Sequence, residues 1–271
     1  MKKIFLPFFL LMLGTAFSNA QVTDLPDAFT SGGTVWFVRA GASLSRVSGD
    51  GVDATLDTWR SSLKKWTFNG DFKPLWGGSL SFGFDKTFGS SSAYWGMELG
   101  AAMRGYKAEA KWESIGRIEL TDSHTDYHYS KKQNQTLNAY NVKLVPINIG
   151  YKFILNDMMA IDIHVGGFAS YDFAGTFDTE YEESSFSVYS GNRKLGLEAN
   201  STSKHDSSDN SQKIGDLDNY TNYDFGAIGG LGFWFGHFNI DVCYQRGFIS
   251  IFDVDDKFFN DNILLRLGYA F

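Results

Sequence analysis

The sequence is poor in cysteine and, after its first residues, has no long apolar run. Cys243 is the only cysteine among 271 residues, so no intrachain disulfide can form. Beyond residue 20 no apolar run reaches the length of a transmembrane helix, which argues against a helical membrane protein. The formal net charge of −7 lacks the basic excess of a nucleic-acid-binding surface, so no nucleic-acid partner is expected.

The first 20 residues have the organisation of a secretory signal peptide. Lysines at positions 2 and 3 precede an apolar stretch, 4–13, that is too short to span a bilayer as a helix. Ser18 and Ala20 are the small residues that a signal peptidase requires, which predicts cleavage after Ala20. The mature domain is then 21–271, and a retained helical anchor is the alternative.

Aromatic residues and glycine, by contrast, are abundant. Aromatics make up 17% of the chain, which also contains 29 glycines and only 4 prolines, a composition typical of membrane β-strands. The mean hydropathy of −0.21 is mildly polar, as expected when lipid-facing and lumen-facing residues alternate. Hydropathy alone therefore does not exclude a membrane β-barrel.

Eight segments alternate between apolar and polar residues with the period of a β-strand. In the first, Val35–Ser45, Trp36 and Val38 share one face and Arg39 and Ser43 share the other. One face suits lipid and the other suits a polar barrel interior. The other seven segments are 78–88, 95–104, 140–153, 159–173, 223–235, 238–244 and 262–271.

The links between these segments alternate in length. The short links are 89–94, 156–158 and 236–237, and the long links are 46–77, 107–139, 174–222 and 246–261. Bacterial outer-membrane barrels have short periplasmic turns and long extracellular loops. The sequence therefore predicts an all-β fold: an antiparallel up-and-down transmembrane β-barrel of eight strands. A soluble β-sandwich and a ten-stranded barrel, in which both long hairpins cross the membrane, are the alternatives.

The alternation changes phase once inside a segment. Tyr140 and Leu144 follow one parity, whereas Ile147 and Tyr151 follow the other, and Pro146 lies between them. An extra strand residue beside a proline changes the phase in this way, which predicts a β-bulge near Val145 and Pro146.

Aromatic residues are sorted by strand direction, as the girdles at two membrane interfaces require. The predicted periplasmic girdle contains Trp36, Trp95, Tyr151, Phe153, Phe235, Tyr269 and Phe271. The predicted outer girdle contains Tyr171, Phe173, Tyr223 and Tyr244.

Two segments resemble the PorT-like outer-membrane β-barrel family, a porin-type barrel domain. They are LVPINIGYKF, 144–153, in which a proline-containing strand ends in aromatic residues, and LLRLGYAF, 264–271, which ends the chain on an aromatic. The resemblance implies an eight-stranded barrel surrounded by outer-membrane lipid. It also implies that Phe271 belongs to a C-terminal signal read by the barrel-assembly machinery during insertion.

The strand parity predicts a charged lumen. The expected inward-facing residues are Arg39, Asp85, Glu98, Arg104, Lys152, Asp162, His164, Asp172, Asp224, Asp241 and Arg266. An eight-stranded barrel has room only for its own side chains or one small ligand, and unpaired buried charges are costly. We therefore expect salt-bridged layers rather than an open pore. A path for protons or a small ligand is the alternative, and Cys243 is read as a small strand residue.

No enzyme, cofactor or metal site is predicted. His164 shares a face with Asp162 and Ser170, as a hydrolase would require, but it lies in mid-strand and no Gly-x-Ser-x-Gly motif is present. Three histidines lie among acidic residues of the long loops: His124, His128 and His205, with Asp122, Asp126 and Asp206. A solvated polar loop is the preferred interpretation, and Asp253–Asp256 lacks the glycine and glutamate of a calcium loop.

The two longest loops contain alternating stretches that predict protruding hairpins over 107–139 and 174–222. A disordered tip is the alternative for 174–222. The leading hypothesis is a non-enzymatic barrel in the outer membrane whose hairpins bind a surface or an extracellular or periplasmic protein partner. A carrier or channel for a small apolar ligand is the alternative, and a membrane-bound hydrolase is a third.

Overall fold

Eight antiparallel strands form a closed ring. The computed structural model describes residues 24–63, 65–89, 91–120, 123–190 and 200–271, and in this part of the chain there are nine strands. They are β1 (Thr34–Ser48), β2 (Thr67–Thr87), β3 (Ala93–Leu120), β4 (Ser123–Asn156), β5 (Met159–Ser190), β6 (Asn200–Lys213), β7 (Tyr223–Phe235), β8 (Phe238–Gly247) and β9 (Phe259–Ala270). The predicted signal peptide lies outside the described residues.

The ring contains β1, β2, β3, β4, β5, β7, β8 and β9 in that order, and β9 pairs with β1 to close it. Strand β6 pairs with β5 beyond the ring and takes no part in its wall. The predicted eight-stranded up-and-down barrel is confirmed, and the sandwich and ten-stranded alternatives are wrong.

Short helical segments flank the strands. Helix α1 (Ala28–Ser31) precedes β1, α2 (Asp50–Ser62) joins β1 to β2, and a 3₁₀ helix (Ile214–Asp216) follows β6. Among the described residues, no helix combines the length and the apolar character needed to cross a membrane.

The predicted bulge at Pro146 is present. In the pairing of β4 with β5 the register shifts between Leu144 and Ile147, and the pairing of β3 with β4 has a matching irregularity. Proline has no N–H to donate to the ladder, so an extra residue is accommodated here. Leu144 and Ile147 both lie exposed on the outer wall although they are three positions apart.

The barrel is apolar outside and polar inside. Leu99, Ile147 and Leu265 are 55%, 58% and 53% exposed on the wall, whereas buried polar and charged side chains fill the interior. A soluble protein would not present a continuous apolar wall to water, but hydrocarbon solvates it favourably. This distribution is that of a transmembrane β-barrel.

The two ends of the barrel differ. The turn end carries the short links between β2 and β3, β4 and β5, and β7 and β8. The strand register places all seven residues of the predicted periplasmic girdle near this end, where for example Trp36 pairs with Phe84 and Phe235 with Met159. At the opposite end, the hairpin end, Tyr171 pairs with Tyr223, and Phe173 and Tyr244 are exposed.

Two predicted long loops are strands for most of their length. Strands β3, β4 and β5 contain 28, 34 and 32 residues, whereas about 9 to 11 residues cross a bilayer. Their surplus residues continue beyond the hairpin end and form, with neighbouring residues, a sheet that we call the extended sheet. It consists of Thr67–Lys73, Lys107–Leu120, Ser123–Ala139, Thr176–Ser190 and β6.

The long link predicted over 46–77 is the main error. It contains the end of β1, all of α2 and the first half of β2, which begins at Thr67 rather than at Gly78. Phe68 and Phe72 alternate with polar residues and pair with β3, so this stretch forms a strand outside the membrane-spanning region.

Candidate functional site

The charged interior is the first candidate site. All eleven predicted lumen residues are buried, none more than 4% exposed. Their side chains point inward because they occupy alternate positions on strands whose other face lies on the wall. The structure groups ten of them into three levels between the turn end and the hairpin end, and places His164 in a separate group.

The level nearest the turn end contains Lys152, Asp85 and Asp162. Lys152 Nζ lies 2.7 Å from Asp85 Oδ2 and 3.3 Å from the centre of the Tyr94 ring. The Tyr94 hydroxyl donates a 2.8 Å hydrogen bond to Asp162 Oδ1. One ammonium is thus stabilised by a carboxylate and by an aromatic face.

The central level contains two guanidinium groups that share one carboxylate. Glu98 accepts hydrogen bonds from Arg39 Nη1 at 3.1 Å and from Arg266 Nη1 at 2.5 Å. Arg266 also donates to Asp241 Oδ2 through Nε at 2.8 Å and through Nη2. Lys143 is buried near this level, which joins β1, β3, β8 and β9.

The level nearest the hairpin end is organised by Arg104. Its Nε and Nη2 donate to the two oxygens of Asp172 at 2.9 and 2.7 Å, and Nη1 donates to Asp224 Oδ2 at 3.0 Å. Tyr220 donates a 2.6 Å hydrogen bond to Asp172 Oδ2. Burial raises the pKa of the Tyr220 phenol above its usual value, and the carboxylate that it contacts raises that pKa further.

Apolar groups cover the charged levels at both ends. At the turn end Phe29 of α1 packs edge-on against Trp234, with ring centres 5.0 Å apart, and Leu25 is buried beside them. At the hairpin end Ile251 and Trp59 of α2 belong to a second apolar cluster. The sequence pattern predicts neither cover. Leu25 and Phe29 are spaced as on one helical turn, but α1 begins only at Ala28.

His164 belongs to a fourth group, between the turn end and the centre. Its Nδ1 lies 3.6 Å from Asp162 Oδ2, and its Nε2 lies 3.3 Å from Cys243 Sγ and 3.8 Å from Asp241 Oδ1. Ser170 shares the inward face of β5 with His164, as predicted, but its Oγ lies 3.4 Å from Arg104 Nη1. Ser170 is therefore not placed as a nucleophile for His164.

The sequence pattern does not single out Lys143, Tyr94 or Cys243 for a role in the lumen. Each lies at an inward position of its strand, and each is buried. Strand parity was the signal available for Lys143, which shares its face with buried Asn141 and Val145. Its pairing depends on strands distant in sequence, which no local pattern reveals.

The histidines of the long loops do not converge. His124 Nε2 lies 3.5 Å from Asp126, and His128 Nε2 lies 3.9 Å from Glu113. His205 is on β6, opposite Ser184, and Asp122 lies outside the described residues. Within the described ranges, the three-residue group of potential metal ligands is in the lumen instead: His164, Asp241 and Cys243.

The extended sheet is the second candidate site. Its inner face continues the barrel lumen and carries Trp112, which is covered by Trp59 of α2, and then the rings of Tyr127 and Tyr129. Lys131 Nζ lies 5.9 Å from the centre of the Trp66 ring on the same face. The face is therefore apolar near the barrel and mixed aromatic and polar towards the tip.

The outer face of the extended sheet is more highly charged. Arg117 donates to both oxygens of Asp126, at 2.6 and 3.2 Å, and these hydrogen bonds lower the pKa of Asp126 below its usual value. Ile115 and Phe186 lie on either side of His128 in one cross-strand row, 80% and 47% exposed.

No family model and no curated protein matches the chain. Among solved structures it is similar to Ail, the attachment invasion locus protein of Yersinia pestis, with 15% identity and a TM-score of 0.30 over 88% of this chain and 98% of Ail. Neisserial surface protein A has 8% identity and a TM-score of 0.30 over 88% and 99%. LpxR from Salmonella typhimurium has 6% identity and a TM-score of 0.22 over 88% and 100%. These similar structures are outer-membrane β-barrels. Identities this low establish no family, and the resemblance to the PorT-like family stays a prediction.

Proposed function

We propose that this protein is an outer-membrane β-barrel, without enzymatic activity, that anchors the extended sheet outside the cell for contact with a surface or a partner. One observation carries the proposal: β3, β4 and β5 each continue as single strands from the barrel wall into the extended sheet. A sheet built in this way is ordered by the barrel itself, so little conformational entropy is lost when a partner binds.

The orientation in the membrane follows from the two ends. Short turns face the periplasm in bacterial outer-membrane barrels, and long strand extensions face the outside. The turn end carries the short links, and exposed aromatic residues such as Trp36 and Tyr151 lie near it. The extended sheet, at the other end, is then extracellular.

The filled lumen supports anchorage over transport. A carrier requires a continuous apolar passage, but three charged levels lie across the interior and apolar clusters cover both ends. A groove of about 490 Å³ beside Gly229 favours the alternative, a carrier for a small apolar ligand. It is open on the lipid side of the wall, and the lumen behind it holds the buried side chains of His164 and Cys243.

Ion conductance separates a sealed anchor from a channel. The chain is refolded in detergent without a purification tag and inserted into a planar lipid bilayer under an applied voltage. We expect no discrete conductance steps, because the lumen is filled by paired side chains. Regular steps that recur with each insertion would favour a channel and contradict the sealed barrel.

A truncated variant tests the role of the extended sheet. Lys111 pairs directly with Lys132, and Thr179 pairs directly with Asn210, so Asn-Gly turns are introduced to replace 112–131 and 180–209. The ring is untouched, and we expect the variant to show the heat-dependent electrophoretic mobility of a folded barrel. Cells that display it should adhere to immobilised polysaccharides and proteins no better than cells without the protein.

Two double variants then assign contact to one face. Replacement of inner-face rings, Tyr127→Ser with Tyr129→Ser, is compared with replacement on the outer face, Ile115→Ser with Phe186→Ser. All four side chains are at least partly exposed and none lies in the barrel wall. Loss of adhesion in one double variant identifies the contact face, whereas unchanged adhesion in the truncated variant would contradict the proposal.

A further inference from the structure

Three side chains that can bind a metal ion meet in the barrel interior: His164, Asp241 and Cys243. His164 lies on β5 and Cys243 on β8, in one row of the sheet with Gly230 of the intervening strand β7. A Cβ atom on Gly230 would lie 2.7 Å from both Cys243 Sγ and His164 Nε2. The glycine therefore leaves the space in which the side chains of β5 and β8 come together.

The donor atoms have the spacing of a tetrahedral metal site. Nε2 of His164 lies 3.3 Å from Cys243 Sγ and 3.8 Å from Asp241 Oδ1, and all three donors are within 4.8 Å of one another. Zinc bonds of about 2.0 to 2.3 Å in tetrahedral geometry place such donors about 3.3 to 3.6 Å apart. Both distances from His164 Nε2 lie within about 0.5 Å of this range.

A buried, unpartnered oxygen points into this space. Arg266 donates to Asp241 Oδ2 through two nitrogens and so orients the carboxylate, while Asp241 Oδ1 has no hydrogen-bond partner among the described residues. His164 Nδ1 lies 3.6 Å from Asp162 Oδ2. A carboxylate at this position commonly orients a metal-binding imidazole.

The charge count of the interior favours one divalent cation. Seven carboxylates of the described residues are buried, and one of them, Asp261, is paired with the partly exposed Arg246 at 2.9 Å. The other six, Asp85, Glu98, Asp162, Asp172, Asp224 and Asp241, exceed by one the buried cations Arg39, Arg104, Lys143, Lys152 and Arg266. A divalent ion bound by a thiolate would balance this excess. Arg266 Nη2 lies 3.2 Å from Cys243 Sγ, where a guanidinium stabilises a thiolate.

We propose that His164 Nε2, Cys243 Sγ and Asp241 Oδ1 bind one divalent transition-metal ion of the zinc class. Nitrogen, thiolate and carboxylate donors together suit a borderline ion rather than magnesium or calcium. Binding releases the proton of the Cys243 thiol to solvent. The metal ion then links β5 to β8 across β7. Because the lumen is covered at both ends, the ion enters while the barrel folds.

Cobalt is the probe for the site. The untagged chain is unfolded with a chelator present, freed of the chelator, and refolded in detergent with one equivalent of Co²⁺. We expect about one cobalt per chain to survive desalting, with a cobalt–thiolate charge-transfer band and the visible bands of tetrahedral cobalt. Zinc present during refolding should prevent both signals.

Matched variants identify the donors. Cys243→Ser should abolish the charge-transfer band, and His164→Gln should lower cobalt retention at least tenfold. His128→Gln, in the extended sheet, should retain the metal as the unsubstituted chain does. Folding is checked for each variant by heat-dependent electrophoretic mobility.

Two results would overturn the proposal. One is a folded, unsubstituted barrel that retains no cobalt after refolding in its presence. The other is a folded Cys243→Ser variant with the same retention and the same charge-transfer band. If Cys243→Ser does not fold, Asp241→Asn is measured in its place, and the result for the unsubstituted chain stands independently.

Discussion

Glu98 and Arg266 are joined by a 2.5 Å hydrogen bond in the centre of the barrel, where each side chain is at most 4% exposed. Glu98 also accepts a hydrogen bond from Arg39. One carboxylate of β3 thereby links β1 and β9, the strands whose pairing closes the ring. The closure of the barrel is thus reinforced from inside by charge-assisted hydrogen bonds.

Removal of the Glu98 charge should therefore destabilise the barrel. In Glu98→Gln the two guanidinium groups remain buried without their shared anion, and we expect the free energy of unfolding to fall by about 3 to 5 kcal/mol. Urea titration of the refolded barrel in detergent, followed by electrophoretic mobility, measures the change.

Glu182→Gln is the matched control. Glu182 lies on the outer face of the extended sheet, half exposed and 3.9 Å from Lys132, so we expect less than about 1 kcal/mol of change. Equal stability of the two variants would show that the central level contributes no more than a surface ion pair.

The sequence predicts the ring well because alternation is strong wherever one strand face meets lipid and the other meets the lumen. It predicts the extended sheet less well. Phe68 and Phe72 lie beyond the membrane, where alternation does not show where a strand begins or whether it crosses the bilayer. Strand parity predicts which side chains point inward, but it does not predict which of them form ion pairs. Arg104, for example, meets Asp172 of β5 and Asp224 of β7 only when the ring closes.

The cover at the turn end should depend on Phe29. This ring is 1% exposed, packs on Trp234, and has Lys152 Nζ 4.7 Å from its centre. Phe29→Ala should lower the free energy of local opening of residues 24–33 by about 3 to 5 kcal/mol. This opening should then become more than a hundredfold more frequent. The Leu25 amide, which donates to Asp157 O at 2.7 Å, should lose hydrogen-exchange protection accordingly.

Phe88→Ala provides the comparison at the same end of the barrel. Phe88 is 54% exposed, so its removal leaves the cover intact and the Leu25 amide should keep its protection. Unchanged protection in Phe29→Ala as well would mean that the ring does not hold the segment in place.

The tip of the β3–β4 hairpin should loosen in acid. Hydrogen bonds from Arg117 lower the pKa of Asp126 below its ordinary value of 3.8. A lowered pKa in the folded state stabilises the hairpin above about pH 4, and this contribution is lost as the pH falls through the folded-state value. Hydrogen-exchange protection factors around Arg117, corrected for the intrinsic pH effect, should decrease over that range.

Asp126→Asn removes the titrating group and should make these protection factors insensitive to acid. Salt should weaken the effect in the unsubstituted chain, because both side chains are exposed. A pH dependence that persists in Asp126→Asn would assign it to another group of the hairpin.

Deletion of Pro146 should remove the bulge and leave the barrel folded. Leu144 and Ile147 both face lipid although they are three positions apart, so removal of the extra residue places them two apart and both halves of β4 keep their phase. Lys143 and Lys152 then both still point inward. Deletion of Leu265 is the contrast, because the pairings of β9 show no register shift: one half of β9 is forced into the opposite phase and turns Asn262 or Arg266 towards lipid. Electrophoretic mobility after refolding should show the folded band for the first deletion and not for the second. Loss of the folded band on deletion of Pro146 would mean that the bulge is required for more than the parity of β4.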